Sequence, residues 1–158
     1  VIYLSKIKVL EKVVKSFSNS NIKFIVGGSL LLYFYQLDDR FNDIDLIIGP
    51  EDYLKAYDIL KQMGIEQEIS SSSMYCTEKI ARFIVDNVGI DIMLNFCVSS
   101  KSERCIIEYE EPCDYIYTRN LKIPLGSLAS WSKAYRLTPC GIDKAKKIDK
   151  YLDKSSQE

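Results

Sequence analysis

The chain has 158 residues, 47% of them hydrophobic, enough to close one compact domain around a core and too few for two full ones. With 21 Lys and Arg against 22 Asp and Glu, the formal net charge of -1 excludes a global basic field for nucleic acid, so any such role needs a local patch. There is no histidine, which removes Ser-His and Cys-His nucleophiles, histidine-ligated zinc and histidine general bases together and leaves carboxylate chemistry. The five cysteines, Cys76, Cys97, Cys105, Cys113 and Cys140, are odd in number and form no Cys-x-x-Cys pair. They read as reduced thiols of a cytoplasmic protein, not as a disulfide framework or a zinc site. Charges break the apolar residues of the opening Val-Ile-Tyr-Leu-Ser-Lys, so neither a signal segment nor a membrane span is expected.

Tyr3, Ile7, Leu10, Val14 and Phe17 recur at spacings of four and three, which predicts a helix with one apolar stripe, ended by the polar cluster Ser16 to Asn21. Ile22 to Val26 is a short β-branched run that stops at Gly27-Gly28, and Ser29 to Leu37 is rich in Leu and Tyr, so strand, glycine turn and helix follow one another. After the polar connection Asp38 to Asn42, Asp43 to Ile48 reads as a second strand, ended by Gly49-Pro50. Pro50, Glu51 and Asp52 suit a first helical turn, and Tyr53, Tyr57, Leu60 and Met63 keep helical spacing up to Gly64.

Ile65 to Thr77, with serines from Ser70 to Ser73, reads as a mobile connection or an irregular strand. Ile80 to Val85 and Ile90 to Leu94 are strand-like and flank the turn formers Asp86-Asn87-Val88-Gly89, which predicts a hairpin. Phe96 to Glu111 resists assignment beyond one strand around Cys105-Ile106-Ile107. Tyr115-Ile116-Tyr117 and Leu121-Lys122-Ile123 make a short strand or hairpin before Pro124. Leu128, Trp131 and Tyr135 suit one helix and Ile142, Ala145, Ile148 and Leu152 another, broken at Pro139-Cys140-Gly141, with a frayed tail after them. The order implies an α/β or α+β domain with a mixed sheet: a core over residues 1–125 and a helical extension over 126–158 packed on it.

In a strand, alternate side chains share a face. Asp43 and Asp45 therefore point one way, with Cα atoms roughly 6.5–7 Å apart, while Ile44, Leu46 and Ile48 point into the core. In the later hairpin the same phase sets Asp91 and Met93 against Ile90, Ile92 and Leu94, so three carboxylates converge if the two strands are neighbours. Such a cluster repels itself unless a cation neutralises it, and hard oxygen ligands favour Mg²⁺ or Mn²⁺. The Asp-x-Asp pair taken alone suits a solvated strand edge better than a catalytic pair. Val26-Gly27-Gly28-Ser29 closes a strand and opens a helix, where backbone N–H groups can hold a phosphate and the Ser29 hydroxyl can donate to it. An ordinary βα turn with Ser29 as N-cap is the alternative.

Together, Val26-Gly27-Gly28-Ser29, Asp43-Ile44-Asp45-Leu46 and Asp91 in Gly89-Ile90-Asp91-Ile92 resemble the nucleotidyltransferase superfamily typified by DNA polymerase beta, over Ile22 to Leu94. Within it the chain is most similar to the small bacterial members: minimal nucleotidyltransferases, AbiEii-type toxins of toxin–antitoxin systems, and lincosamide and aminoglycoside nucleotidyltransferases. The resemblance implies that Asp43 and Asp45 hold two Mg²⁺ or Mn²⁺ ions. It also implies that Asp91 binds the catalytic metal and helps deprotonate the acceptor hydroxyl, and that Gly27, Gly28 and Ser29 hold the triphosphate of an NTP. Many relatives carry an Arg and a Ser or Thr ahead of the acidic pair; here Phe41 stands at the hydroxyl position, and either Arg40 takes over the nucleotide contact that the resemblance implies or that contact is not made.

Lys133 and Arg136 are placed to reach triphosphate oxygens or else to face solvent as helix charges. Lys144, Lys146, Lys147 and Lys150 are diluted by Asp143, Asp149 and Asp153 and suit a solvated face. The leading expectation is transfer of NMP from an NTP to an acceptor hydroxyl on a small molecule, protein or RNA, with pyrophosphate release. Two alternatives stay open: a regulatory, non-catalytic member of a toxin–antitoxin pair, and an antibiotic-modifying transferase whose acceptor cavity is completed in a homodimer.

Overall fold

The computed structural model describes residues 2–70, 72, 74–119 and 121–156 of the chain. Helix α1 (Ile2–Asn19) buries Val9, Leu10, Val13, Val14 and Phe17 along one stripe, with Ile7 partly buried beside them. The side chain of Tyr3, and Ser71, Ser73, Gln157 and Glu158, lie outside the described residues. Next come β1 (Phe24–Gly27), α2 (Gly28–Phe34) and β2 (Ile44–Ile48), then a 3-10 turn at Pro50–Asp52 that leads into α3 (Tyr53–Met63). The strands β3 (Ile65–Gln67), β4 (Lys79–Val85), β5 (Val88–Leu94), β6 (Phe96–Ser99), β7 (Arg104–Ile107), β8 (Asp114–Thr118) and β9 (Leu121–Leu125) precede α4 (Leu128–Arg136) and α5 (Ile142–Ser156).

Seven strands form a mixed sheet in the order β3-β4-β5-β2-β1-β9-β8, and β6 and β7 form a separate antiparallel pair. β2 runs antiparallel to β1 and parallel to β5. One sheet face, carrying Phe24, Ile48, Leu46, Ile44, Ile90 and Phe83, is covered by α1 and α3: the Phe17 ring meets Phe24 at 5.4 Å and Tyr57 meets Phe83 at 5.3 Å. The other face carries Ile25, Ile47, Asp45, Asp91 and Arg82, and α4 lays Trp131 against Gly27 there. Among the described residues no helix is long and apolar enough to cross a membrane.

Four sequence expectations change. The turn between β4 and β5 has two residues, Asp86 at φ 48 and Asn87 at φ 67, because both adopt the left-handed conformation that a tight hairpin requires. Val88 and Gly89 are consequently strand, paired with Val85 and Ile84. Phe96 to Glu111 contains two strands instead of one. β9 continues through Pro124, which is tolerated because β1 meets β9 only at the Val26–Leu125 pair. Finally, Cys76 and Cys97 are bonded to each other, Cα to Cα 4.7 Å, while Cys105, Cys113 and Cys140 are free thiols. They meet because Tyr75 bridges Val98 and the Cys76 N–H donates to the Cys97 carbonyl at 2.9 Å.

Candidate active site

Asp45 pairs directly with Asp91 across the parallel β2–β5 ladder, and Ile44 with Ile90. Period-two alternation then puts both carboxylates on the face away from α1 and α3, with neighbouring strands roughly 4.8 Å apart. Asp43 stands just ahead of β2 and reaches the same face over Gly89, where a Cβ would lie 2.6 Å from its Oδ1. Gly28, at φ +63, makes the equivalent room for Asp45, whose carboxylate a Cβ there would strike. Gly27 admits the Trp131 ring. Three glycines are thus required by close approach, two of them by the acidic side chains themselves.

Asp91 is 7% exposed and Asp45 half-buried. Burial, then the charges of Asp91 and Asp43, push the Asp45 carboxyl well above the ordinary carboxylate range, against the opposing pull of Arg82. Arg82 on β4 faces Asp91 in the hairpin register. Its Nε donates to Asp91 Oδ1 at 2.6 Å and one terminal nitrogen donates to Asp91 Oδ2 at 2.7 Å, the two-pronged geometry that suits guanidinium and carboxylate. The same nitrogen reaches Asp43 Oδ2 at 3.4 Å. The hydrogen bond to Asp91 leads the causes that hold the guanidinium in its charged form.

Sequence reasoning did not single out Arg82. The signal was present: with a two-residue turn, pairing Val85 with Val88 puts Arg82 opposite Asp91.

The donor set suits a hard divalent cation, since three carboxylates share one face and two of them, Asp43 and Asp91, already hold a positive group between them. As they stand, no three His, Cys, Asp or Glu side chains among the described residues are grouped so that they could hold a metal ion. The Arg82 guanidinium takes the oxygens of Asp91 instead.

Of the other expected residues, Gly27 is the N-cap of α2 and offers no side chain, so Ser29 lies within the first turn, half-buried, and is not the cap. Arg40 is exposed and pairs with Asp39 at 3.5 Å. Phe41 is 1% exposed and packs its ring on Tyr33 at 5.0 Å, a core role that explains an apolar residue at that position. Lys133 is exposed on α4, near enough to Cys105 to counter the rise that burial gives its thiol. Arg136 bonds Asp149 of α5.

Aromatic groups wall the site on the α4 side. Trp131 stacks on Phe96 with centroids 5.1 Å apart and lies 5.8 Å from the Tyr135 ring. Burial, then the charge of Asp45, push the Tyr135 phenol upward, so its hydroxyl stays protonated beside the carboxylates.

No family model matches the chain, and no curated protein matches it in sequence. Solved structures match it in shape. A Thermotoga maritima protein proposed to be a nucleotidyltransferase (TM1012) superposes with a TM-score of 0.68 at 21% identity, over 95% of this chain and 94% of that one. The fold is the nucleotidyltransferase fold. ANT(2")-Ia, in complex with adenylyl-2"-tobramycin, matches with a TM-score of 0.63 at 12% identity over 94% of this chain and 90% of its own. The lincomycin-bound lincosamide antibiotic adenylyltransferase LnuA matches at 0.58 and 15% identity, over 90% and 95%. At these identities the likeness is one of fold, and it agrees with the architecture that the glycine and aspartate motifs implied.

Proposed function

We propose that the chain transfers a nucleoside monophosphate from an NTP to an acceptor hydroxyl, using Asp43, Asp45 and Asp91. The observation that supports this most directly is the Asp45–Asp91 pairing, with Asp43 over Gly89, beside the Gly28 turn of a nucleotidyltransferase fold. The three carboxylates supply oxygen ligands for Mg²⁺ or Mn²⁺, which when bound offset the charge on the attacking and leaving oxygens.

The chain's own groups do the rest. The backbone N–H groups that open α2 after Gly28 donate to phosphate oxygens, and the Ser29 hydroxyl donates to one of them. Asp91 accepts the proton of the acceptor hydroxyl. That oxygen bonds to the α-phosphorus as the bond to the bridging oxygen breaks, and pyrophosphate leaves.

Pyrophosphate release from ATP, GTP, CTP and UTP with Mn²⁺ tests this. Asp43→Asn and Asp45→Asn should each slow release by about 10²-fold or more, as loss of a charge-stabilising group does. Undiminished release by both variants would remove these carboxylates from the reaction. Failure of all four nucleotides to bind in calorimetry would favour the non-catalytic role.

A second reading concerns the acceptor. A cavity of about 410 Å³ is lined by Ile25 and Tyr35 and by Glu108, Glu110, Glu111 and Asp114, and by none of Asp43, Asp45 and Asp91. Its acidic lining favours a cationic small molecule and repels a nucleic acid. Label from an α-phosphate-labelled NTP should then enter polyamino alcohols and not RNA. Labelling of RNA alone would reverse this assignment.

A further inference from the structure

Arg82 has no part in the reaction just described, yet two of the three carboxylates, Asp91 and Asp43, hold it. The hairpin register fixes it opposite Asp91. Its head bonds both Asp91 oxygens at 2.6 and 2.7 Å and touches Asp43 at 3.4 Å. A single guanidinium thereby joins the first and third acidic residues and faces the second.

Guanidinium is charged at every physiological pH, so it balances the cluster without proton uptake. A divalent ion on the same two Asp91 oxygens would sit against the positive charge of the guanidinium, so the two cations repel each other and compete for one carboxylate. Asp91 is 7% exposed, so its oxygens have little other access to a cation. The Arg82 side chain, by contrast, is 37% exposed, and its head has solvent to move into.

We propose that Arg82 is an exchangeable counter-cation: it occupies Asp91 and Asp43 in the metal-free protein and must leave Asp91 for a divalent ion to enter. The site then takes metal weakly by itself and more tightly once a polyphosphate is present to receive the displaced guanidinium. Metal and nucleotide binding become coupled through one side chain. This rests on the reading of the three carboxylates as a metal site, but it is tested by binding and not by turnover.

The experiment is a Mn²⁺ titration of the full chain by calorimetry and electron paramagnetic resonance, with and without a non-hydrolysable NTP analogue. Wild type, Arg82→Gln and Arg82→Lys are compared. Arg82→Gln should bind Mn²⁺ alone about tenfold tighter or more, as loss of a charge-assisted competitor implies. It should also lose most of the enhancement that the analogue gives wild type, with Arg82→Lys in between. In chelator, Arg82→Gln should melt below wild type, and Mn²⁺ should reverse the difference.

Equal or weaker Mn²⁺ binding by Arg82→Gln, with wild-type pyrophosphate release intact, would overturn the exchange and leave the proposed function standing. No Mn²⁺ binding by any of the chains, with or without analogue, would overturn the metal reading and the exchange together. If Arg82→Gln does not fold, wild type decides alone: Mn²⁺ affinity unchanged by the analogue would contradict the coupling.

Discussion

The β2–β5 pair and the β6–β7 hairpin are separated in the chain by one residue, Asn95, yet they are held by different means. Every residue of β5 is buried, and its register against β2 and β4 is set by apolar packing on one face, by the Arg82–Asp91 bonds on the other and by the full ladder of Val88 to Leu94. The β6–β7 pair is an outlying sheet of two strands with Ile106 and Arg104 exposed. Its anchors are the Cys76–Cys97 bond, the Tyr75–Val98 bridge, the Phe96 ring on Trp131 and a weak Cys105 Sγ contact to the Ser130 carbonyl at 4.0 Å. Carboxylates that repel one another need a frame that cannot slip, because a one-residue shift would turn each to the opposite face. The hairpin carries none of these carboxylates and is fastened by those anchors and by the burial of Cys97, Val98 and Ile107.

Trp131 supports both regions, with Gly27 on one side and Phe96 on the other, so its loss tests the comparison most severely. Trp131→Ala should lose about 3–5 kcal/mol of stability in denaturant titration. The indole Nε1 is buried without a partner among the described residues, which offsets part of that contribution. A loss below about 1 kcal/mol would mean that the two regions do not share this support.

Opening the disulfide should separate the regions. The bond closes a sequence separation of 21 residues, and on chain entropy its removal by Cys97→Ser or Cys76→Ser should cost about 3 kcal/mol. Hydrogen exchange should quicken in β6 and β7 while the β5 amides stay protected. Equal loss of protection in β5 would show that the two form a single cooperative unit.

Gly28→Ala should act on the first region alone. A left-handed residue at φ +63 costs roughly 1–2 kcal/mol with a Cβ, and here the Cβ also meets the Asp45 carboxylate. Lower stability and weaker NTP binding are expected together, and normal NTP affinity would dissociate the turn from the site.

The smallest effect lies outside both, in the clasp of α4 and α5. Hydrogen bonds from Ser132 and then Arg136 hold Asp149 below the usual carboxylate range. With its folded value depressed, its contribution is complete above the unfolded value near pH 4 and disappears as pH falls through the folded value. Being 40% exposed, the side chain contributes a screened amount of about 1 kcal/mol or less, so Asp149→Asn should flatten acid unfolding slightly. An unchanged acid limb would show that Asp149 is not among the groups responsible.

What could be read in advance follows the same division. The alternation Asp43-Ile44-Asp45-Leu46 and the glycines ahead of it state the face and phase of the central strands, because period two is a local property. Partnership with β5 is non-local, but the shared phase of Asp91 anticipates it. Arg82 was hidden by the turn: read as four residues from Asp86 to Gly89 it leaves the register open, whereas Asp86-Asn87 in left-handed conformation closes it.

The Cys76–Cys97 pair escaped because an odd cysteine count does not exclude one bond, and pairing depends on where the chain returns. β6 and β7 lack alternation long enough to register, with only four residues each.

The most direct measurement is a crystal structure of the protein soaked with Mn²⁺ and a non-hydrolysable ATP analogue, using the anomalous signal of manganese. The predicted result is manganese held by oxygens of Asp43, Asp45 and Asp91, phosphates against Gly28 and Ser29, and Arg82 released from Asp91. Manganese or analogue bound elsewhere, with the Arg82–Asp91 bonds intact, would contradict it.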